Sequence, residues 1–460
     1  MAPTPPLKEQ LRARFVGKTL HEVPTPSVVL DLAKLEKNCA RMLDATARLG
    51  LLWRAHIKSH KTTELTRLQV GDSLSTPVSL IVSTLTEAEN LLPLLREYDA
   101  RDRPVDILFS FPPVPSTSER LIALSAHLSF CSATLTLMID HPSQLASLPP
   151  ASFSSTPVRI FLKIDTSYSR AGVRPNSPSC TALVAAALEA EKKGDCILHG
   201  VYSHAGDSYG VREGEAARGF LGKEVKGLVE VAKEIGEKRG GMKGLVLSVG
   251  ATPTAAVVLS GAGLGGEVEG LVKGVEAEGG RVEVHGGVYP TLDMQQLAAH
   301  ASEPSVMTAD DIAISVVAEV ASIYPSRGPS NTTEALINAG TLALGREPVA
   351  DKGTIPGRDY AGWGFLMPWG ALSANPVPGA DFPRVHNGWQ VGRISQEHGI
   401  LSWQGKPEDE VPLKYGQRVR VWPNHSCIAG AGFDWYLVVD GRRKGKEDEV
   451  VDVWPRWRGW

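Results

Sequence analysis

No apolar run in this 460-residue chain reaches the roughly 18–20 residues that a membrane-spanning helix needs. The opening stretch MAPTPPLKEQLRARF contains no apolar segment that could serve as a secretory signal. Cysteine is scarce: the five residues Cys39, Cys131, Cys180, Cys196 and Cys427 form no C-x-x-C pair, which argues against a disulfide framework and for a reducing compartment. Excess charge is missing too, and a net charge of −3 leaves no broad basic footprint for nucleic acid. Asn331 and Asn424 head N-x-S/T triplets, which without a secretion signal are read as chance matches. These absences lead us to expect a cytoplasmic protein with neither a membrane nor a nucleic-acid partner. What is present is 42% hydrophobic and 22% charged residues, enough for a sizeable core, over a length that suits two or three domains.

From residue 50 to 290 one theme repeats: a short apolar β-rich run, a polar or glycine-bearing turn, then a mostly helical stretch. The runs are LGLLWRAHIK (49–58), VSLIVST (78–84), VDILFSF (105–111), LTLMID (135–140), VRIFLKID (158–165), CILHGVYSH (196–204), GLVLSVG (244–250) and RVEVHGG (281–287). Strands alternating with helices pair in parallel through crossovers, and eight such units are the number that closes a barrel. The expected fold class is α/β, a (β/α)8 TIM-like barrel followed by a mostly β C-terminal domain; an open doubly wound sheet is the alternative. Ahead of the first run, the helical pattern of residues 31–50 has Asp31 as a candidate cap and Gly50 as its stop. The glycine-rich segment 260–280 lacks a strand in the register of a dinucleotide loop and reads as a surface insertion. After about residue 310 the texture turns to β-runs and turns, with a long ordered loop expected over 345–385. We assign the barrel to 25–300 and the β-rich domain to 301–460 together with 1–24.

Barrel chemistry gathers where strands end. The first run ends in HIKSHK, the fifth in KIDTSYSRAG, the sixth in VYSHAGDSY, the seventh in SVGATPT and the eighth in HGGVY. Lysines, histidines, tyrosines and an arginine therefore converge on one rim. SVGATPT offers successive backbone N–H groups and the hydroxyls of Ser248, Thr252 and Thr254, which suit a phosphate. A lysine in an enclosed mouth loses charge readily and becomes a nucleophile toward carbonyls. Phosphate cradle plus nucleophilic lysine is what pyridoxal 5'-phosphate requires.

Taken in order, RAHIKSHK, KIDTSYSRAGV, YSHAGDSY, SVGATPT, HGGVY, EHG and HSC resemble the eukaryotic-type D-serine dehydratases, relatives of D-threonine aldolase within the alanine-racemase fold class. The resemblance runs from TPSVVLDLAKLEKN (25–38) to PNHSC (423–427). It implies a pyridoxal-phosphate barrel, a β domain carrying a metal pair, and a homodimer. Lys58 matches the lysine that holds the cofactor covalently, with Lys61 a neighbouring cation. Strand alternation would put Lys58 and His56 on one face. Gly250, Thr252 and Thr254 match the phosphate loop. Tyr202, Tyr209 and Tyr289 match cofactor-contacting tyrosines, and Arg170 the arginine approaching the pyridine nitrogen. The chain departs from the pattern at Asn338, where an aspartate is expected, and in extra residues near 101–125, 210–240 and 345–385.

His425 and Cys427 stand at i and i+2, which on a strand would turn both side chains one way, and imidazole with thiolate suits Zn²⁺. Two protein ligands leave positions open for water or substrate. The mechanism this implies is removal of the α-proton by Lys58 and departure of the β-hydroxyl under zinc's Lewis-acid assistance, giving pyruvate and ammonia. His-x-Asp in the aldolase relatives is a harder site; Cys427 favours the dehydratase. A D-threonine aldolase or a dehydratase of another D-3-hydroxy amino acid is the competing reading. A racemase, or a carrier of pyridoxal phosphate without catalysis, stands further off.

Overall fold

The computed structural model describes residues 7–150, 157–259, 263–299, 301, 307–349, 362–370 and 388–460. The chain divides into two compact units: Cys39–Gly287 with Trp457–Trp460, and Met1–Asn38 with Val288–Arg456. These boundaries differ from the expected 25–300 and 301–460. The reason lies in strand β1 (Ser27–Asp31), which joins the sheet of the second unit instead of the barrel. Helix Leu32–Arg48, which follows it, crosses the division; Asp31 Oδ1 accepts the Ala33 N–H at 3.0 Å, and Gly50 takes a φ of +69° just beyond its end.

All eight apolar runs become strands: β2 (Leu52–His56), β3 (Val78–Val82), β4 (Val105–Phe109), β5 (Ala133–Ile139), β6 (Arg159–Lys163), β7 (Ile197–Tyr202), β8 (Val246–Val249) and β9 (Arg281–Gly286). They pair in parallel in chain order, and β9 returns to β2 with Leu52 opposite Glu283, closing the barrel. Every residue of β4 and β8 is buried, as parallel strands covered on both faces require. Thr62, Thr84 and Ser177 start crossover helices by accepting the N–H groups of Leu65, Glu87 and Cys180. Gly194 and Gly240 end two of them in the left-handed conformation. Between β5 and β6 the described chain forms a tight 3-10 turn, Pro142–Ser147, in place of the usual helix.

Part of the barrel interior is apolar, with Ile81, Leu108, Met138, Phe161 and Val246 packed together. Another part is ionic. Arg54, 1% exposed, reaches Glu283 and Asp106 at 2.7 Å each. Replacing Arg54 with Met leaves two buried carboxylates without their cation, so we expect a loss of about 3 kcal/mol. Urea unfolding of Arg54→Met should show a clearly lower midpoint; an unchanged midpoint would mean that the carboxylates are compensated elsewhere.

The second unit is built on a nine-stranded, mostly antiparallel sheet. Its further strands are β10 (Ile314–Tyr324), β11 (Glu334–Ile337), β12 (Gly364–Leu366), β13 (Trp389–Ile394), β14 (Gly399–Trp403), β15 (Arg418–Pro423), β16 (Trp435–Val439) and β17 (Asp452–Pro455). The order is β11-β14-β13-β12-β15-β10-β1-β16-β17. One core gathers Trp389, Trp403, Val316, Leu401 and Val421; another joins Leu11, Phe15, Leu20 and Val23 from the N-terminus to Val29, Leu437 and Val453. The N-terminal residues Leu11, Phe15, Leu20 and Val23 thus pack into this unit. Asn338 is spent structurally, accepting the Glu319 N–H and donating to Thr25. The buried Asn424 likewise donates to the carbonyls of Glu347 and Gly362. Of the loop expected over 345–385, residues 350–361 and 371–385 lie outside the described residues, as do 260–262 of the glycine-rich segment.

Candidate active site

The first rim segment sorts its own cations. Strand β2 stops at His56, so Lys58 lies in the turn that follows and not, as alternation suggested, on the strand. The turn is closed by the His60 and Lys61 N–H groups donating to the Ile57 carbonyl. His60 is fully buried, its ring nitrogens engaged with Thr62 and Gln69. Lys61 adopts a φ of +52° and its ammonium pairs with the buried Glu87 at 2.9 Å. Ser59 donates to the Gly287 carbonyl at 2.7 Å. Lys58 is half-buried, and its charge is among the causes that depress the basicity of His56, His204 and His285. For all three histidines burial is the larger cause, and all three are held well below an ordinary imidazole.

Sequence reasoning passed over a second lysine on this rim. Lys163, the last residue of β6, is buried, and its ammonium stands 4.4 Å from the centroid of the Tyr202 ring. Burial, then the charge of Arg170, brings its pKa down to about 7. The signal was available: Lys163 opens KIDTSYSRAG, one of the rim segments, as Lys58 lies in HIKSHK. Tyr202 closes β7 and stacks on His285 with centroids 4.2 Å apart and planes 11° from parallel. Tyr209 sits half-buried on the tight turn Gly206–Gly210. Arg170 lies on the exposed loop after β6, its guanidinium 5.6 Å from the Tyr168 ring centroid.

The loop after β8 is drawn around a carboxylate that the sequence did not single out. Glu224, fully buried on helix Gly214–Arg239, accepts from the Ala205 N–H at 2.9 Å, the Gly250 N–H at 3.3 Å and the Thr254 hydroxyl at 3.0 Å. Burial raises its pKa despite these donors. Gly250 and Thr254 therefore spend these groups in shaping the loop, with Thr252 beside them on the short helix Thr252–Ala256. Gly250 has to be glycine: at a φ of +150° an added Cβ would fall 2.1 Å from the His285 carbonyl oxygen. Nε2 of His285 is buried without a hydrogen-bond partner of ordinary geometry among the described residues, while the Gly250 backbone bears on the ring and favours its protonated form. Lys58 in the rim turn and the close approach at Gly250, which a Cβ would fill, fit a lysine-linked cofactor.

In the second unit Tyr289 is fully buried near its start. His425 and Cys427 are not on a strand: β15 ends at Pro423, His425 is the cap of helix Ser426–Ala431, and Cys427 lies in its first turn. The small residues of SCIAGA bend into a helix because the turn is anchored from outside. Asp293 accepts the Ser426 N–H at 2.8 Å, Thr291 donates to the Ser426 hydroxyl at 3.1 Å, and the Asn424 carbonyl accepts the Gln295 N–H. Burial opposes a charge on His425, but Cys427, Asp293 and Glu347 raise its pKa to about 9. Its Nδ1 is buried without a hydrogen-bond partner among the described residues. An imidazole and a thiol sharing a proton suit a metal that displaces that proton. Among the described residues no group of three or more His, Cys, Asp or Glu side chains is arranged to hold a metal, so the candidate centre rests on this pair.

A closed parallel barrel with a lysine at the rim after its first strand, joined to a mostly antiparallel β unit, defines the alanine-racemase-like class of enzymes. The family model "Alanine racemase, N-terminal domain" matches residues 30–260, and "Putative serine dehydratase domain" matches 313–439. The D-serine dehydratase of Schizosaccharomyces pombe is 38% identical over 98% of this chain and 96% of its own length. That of Saccharomyces cerevisiae is 31% identical over 97% and 99%. The chain belongs to the D-serine dehydratase family, and it is an enzyme. Among solved structures, D-threo-3-hydroxyaspartate dehydratase from Delftia sp. HT23 superposes with a TM-score of 0.72 at 27% identity, covering 96% of this chain and 100% of that one. The same enzyme has been solved as a histidine-to-alanine variant and, with a cysteine two positions further on changed to alanine, in the metal-free form.

Proposed function

We propose that the chain eliminates water from D-serine, with pyridoxal 5'-phosphate linked to Lys58 and zinc held by His425 and Cys427, and yields pyruvate and ammonia. The observation that carries this reading is the position of Lys58, half-buried in the turn after β2 beside three neutral histidines. The spacing of the two substituted residues in the Delftia enzyme, one variant of which is metal-free, supports reading His425 and Cys427 as a metal pair. The cofactor, when bound, supplies an electron sink for the α-carbon, and the metal Lewis-acid assistance to the departing hydroxide.

The chain's own groups do the rest. Lys58 Nζ would take the α-proton. His56, His204 and His285, which burial holds well below an ordinary imidazole, would not compete with Lys58 for the proton near neutral pH. Lys163, with a pKa of about 7, is a second group able to exchange protons there.

Handedness tests the reading. With Lys58 as the group that takes the α-proton from one face, the protein should accept D-serine and refuse L-serine. Purified protein given each enantiomer, with pyruvate measured by coupled reduction, should respond to the D form only; comparable turnover of both would count against it. Running D-threonine and D-threo-3-hydroxyaspartate alongside, and scoring aldehyde against ketoacid, separates dehydratase from aldolase and sets the substrate range.

A further inference from the structure

Helix Gly214–Arg239 carries a carboxylate on its buried face. Leu221, Val225 and Leu228 form an apolar stripe there, and Glu224 stands within that stripe, fully buried. A carboxylate in such a place costs stability unless donors meet its oxygens. They are met from two different rim loops. Oε1 accepts the Ala205 N–H at 2.9 Å from the loop after β7 and the Gly250 N–H at 3.3 Å from the loop after β8. Oε2 accepts the Thr254 hydroxyl at 3.0 Å, and Thr254 Oγ1 accepts the Ala251 N–H at 2.7 Å. A second tie joins the same two loops, because His204 Nδ1 donates to the Gly250 carbonyl at 2.7 Å. Gly250 is thus held through its N–H by Glu224 and through its carbonyl by His204. Ala205 also opens the tight turn Gly206–Gly210, which carries Tyr209. The donors to the carboxylate are backbone and hydroxyl groups, not a cation. Burial is the largest influence on its pKa and raises it, against these donors and, least of all, the charge of Lys163.

We propose that Glu224 is a positioning residue for the phosphate of the cofactor: one acceptor oxygen ties the loop after β7 to the loop after β8 and so presets the segment that receives the phosphate. The proposal rests on the reading of Gly250, Thr252 and Thr254 as a phosphate loop. A loop already held in its binding shape binds more tightly, because less ordering remains to be done. What the two loops need from position 224 is reach and an acceptor. A negative charge behind a loop that holds an anion works against binding, and the uncharged oxygen of a glutamine amide accepts the same two N–H groups. The amide nitrogen of that glutamine would face Thr254 Oγ1, which can accept. An aspartate keeps the charge but is one methylene shorter, so it cannot meet both loops.

The test measures how tightly the full chain binds pyridoxal 5'-phosphate and pyridoxal, which lacks the phosphate. Glu224→Gln should bind pyridoxal phosphate within about threefold of the unaltered protein, and Glu224→Asp about tenfold more weakly or worse. Pyridoxal binding should move by no more than about twofold in either variant, since only the phosphate meets the loop. Amide exchange of the cofactor-free protein gives a reading that needs no ligand. The peptides containing Ala205 and Gly250 should exchange slowly in the unaltered protein and in Glu224→Gln, and faster in Glu224→Asp. Borohydride fixation to Lys58 is scored in parallel, and its failure in the unaltered protein would overturn the pyridoxal-phosphate reading itself. With fixation intact, a Glu224→Gln variant as weak as Glu224→Asp would overturn the proposal. So would a Glu224→Asp variant that binds pyridoxal phosphate as the unaltered protein does, or that loses pyridoxal equally; Glu224 would then be structural only. Should Glu224→Asp not fold, Glu224→Gln still decides: slow exchange with near-normal binding of pyridoxal phosphate upholds the proposal, and slow exchange with weakened binding overturns it.

Discussion

Lys58→Ala is expected to bring pyruvate formation below detection and to leave no cofactor fixed to the protein after borohydride reduction. Lys61→Ala should still fix it. The two lysines stand three residues apart in one cation-rich stretch, and the structure separates their duties. Lys61 has left the rim: its positive φ carries it back toward Glu87, which also accepts the Ser83 N–H and the Thr84 hydroxyl. Its loss leaves a fully buried carboxylate without a cation, so Lys61→Ala should be less stable but chemically competent. Lys58 sits where its charge bears on His56, His204 and His285 at once. Removing it takes away both the covalent anchor and the base, and neither His60 nor Lys61 is placed to substitute. Recovery of the borohydride label on Lys61 would reverse the assignment.

The same stretch shows how far the sequence could be read. Its apolar lead-in and its polar end were enough to mark a strand and a rim, and the same logic found all eight barrel strands, because each is a local run of buried aliphatic residues. The order of those strands also followed, since parallel neighbours joined by crossovers have few alternatives. What stayed hidden was non-local. Strand β1 reads as well for a barrel as for a sheet; only its partners β10 and β16, nearly three hundred and over four hundred residues away, decide. The Arg54–Glu283 and Asp106–Arg54 contacts join residues 229 and 52 apart, so no window contains this buried ion cluster. Glu224 reads as one of many glutamates on an amphipathic helix until the fold buries it under the Gly250 loop. The helix holding Cys427 has no apolar period to announce it, because Asp293 and Asn424 fix the turn from outside. Strand alternation failed at Lys58 and again at Cys427 for one reason: both lie just past a strand end, where period-two reasoning stops applying.

Stripping metal from the enzyme, or replacing Cys427 with Ala, should lower pyruvate formation by about a thousandfold while cofactor fixation to Lys58 persists. The size follows from the leaving group. Hydroxide departs poorly unaided, and Lewis-acid assistance is worth several kcal/mol, each ~1.4 kcal/mol being a factor of ten in rate. Exchange of the α-hydrogen with solvent deuterium should survive, because Lys58 and an electron-withdrawing ring suffice for it. The turn around the pair is held by Asp293, Thr291 and Asn424 independently of any metal, so the loss reports on chemistry and not on collapse of the turn. Zinc returned to the stripped enzyme should restore pyruvate formation, whereas zinc added to Cys427→Ala should not. Cys427→Asp replaces a soft ligand with a hard one and should shift the preference from Zn²⁺ toward Mn²⁺. With hydroxide loss weakened, some cleavage of D-threonine to aldehyde is then expected, scored against ketoacid in the same assay. Undiminished pyruvate formation by verified metal-free enzyme would make His425 and Cys427 a structural pair and leave β-hydroxide departure to the barrel alone.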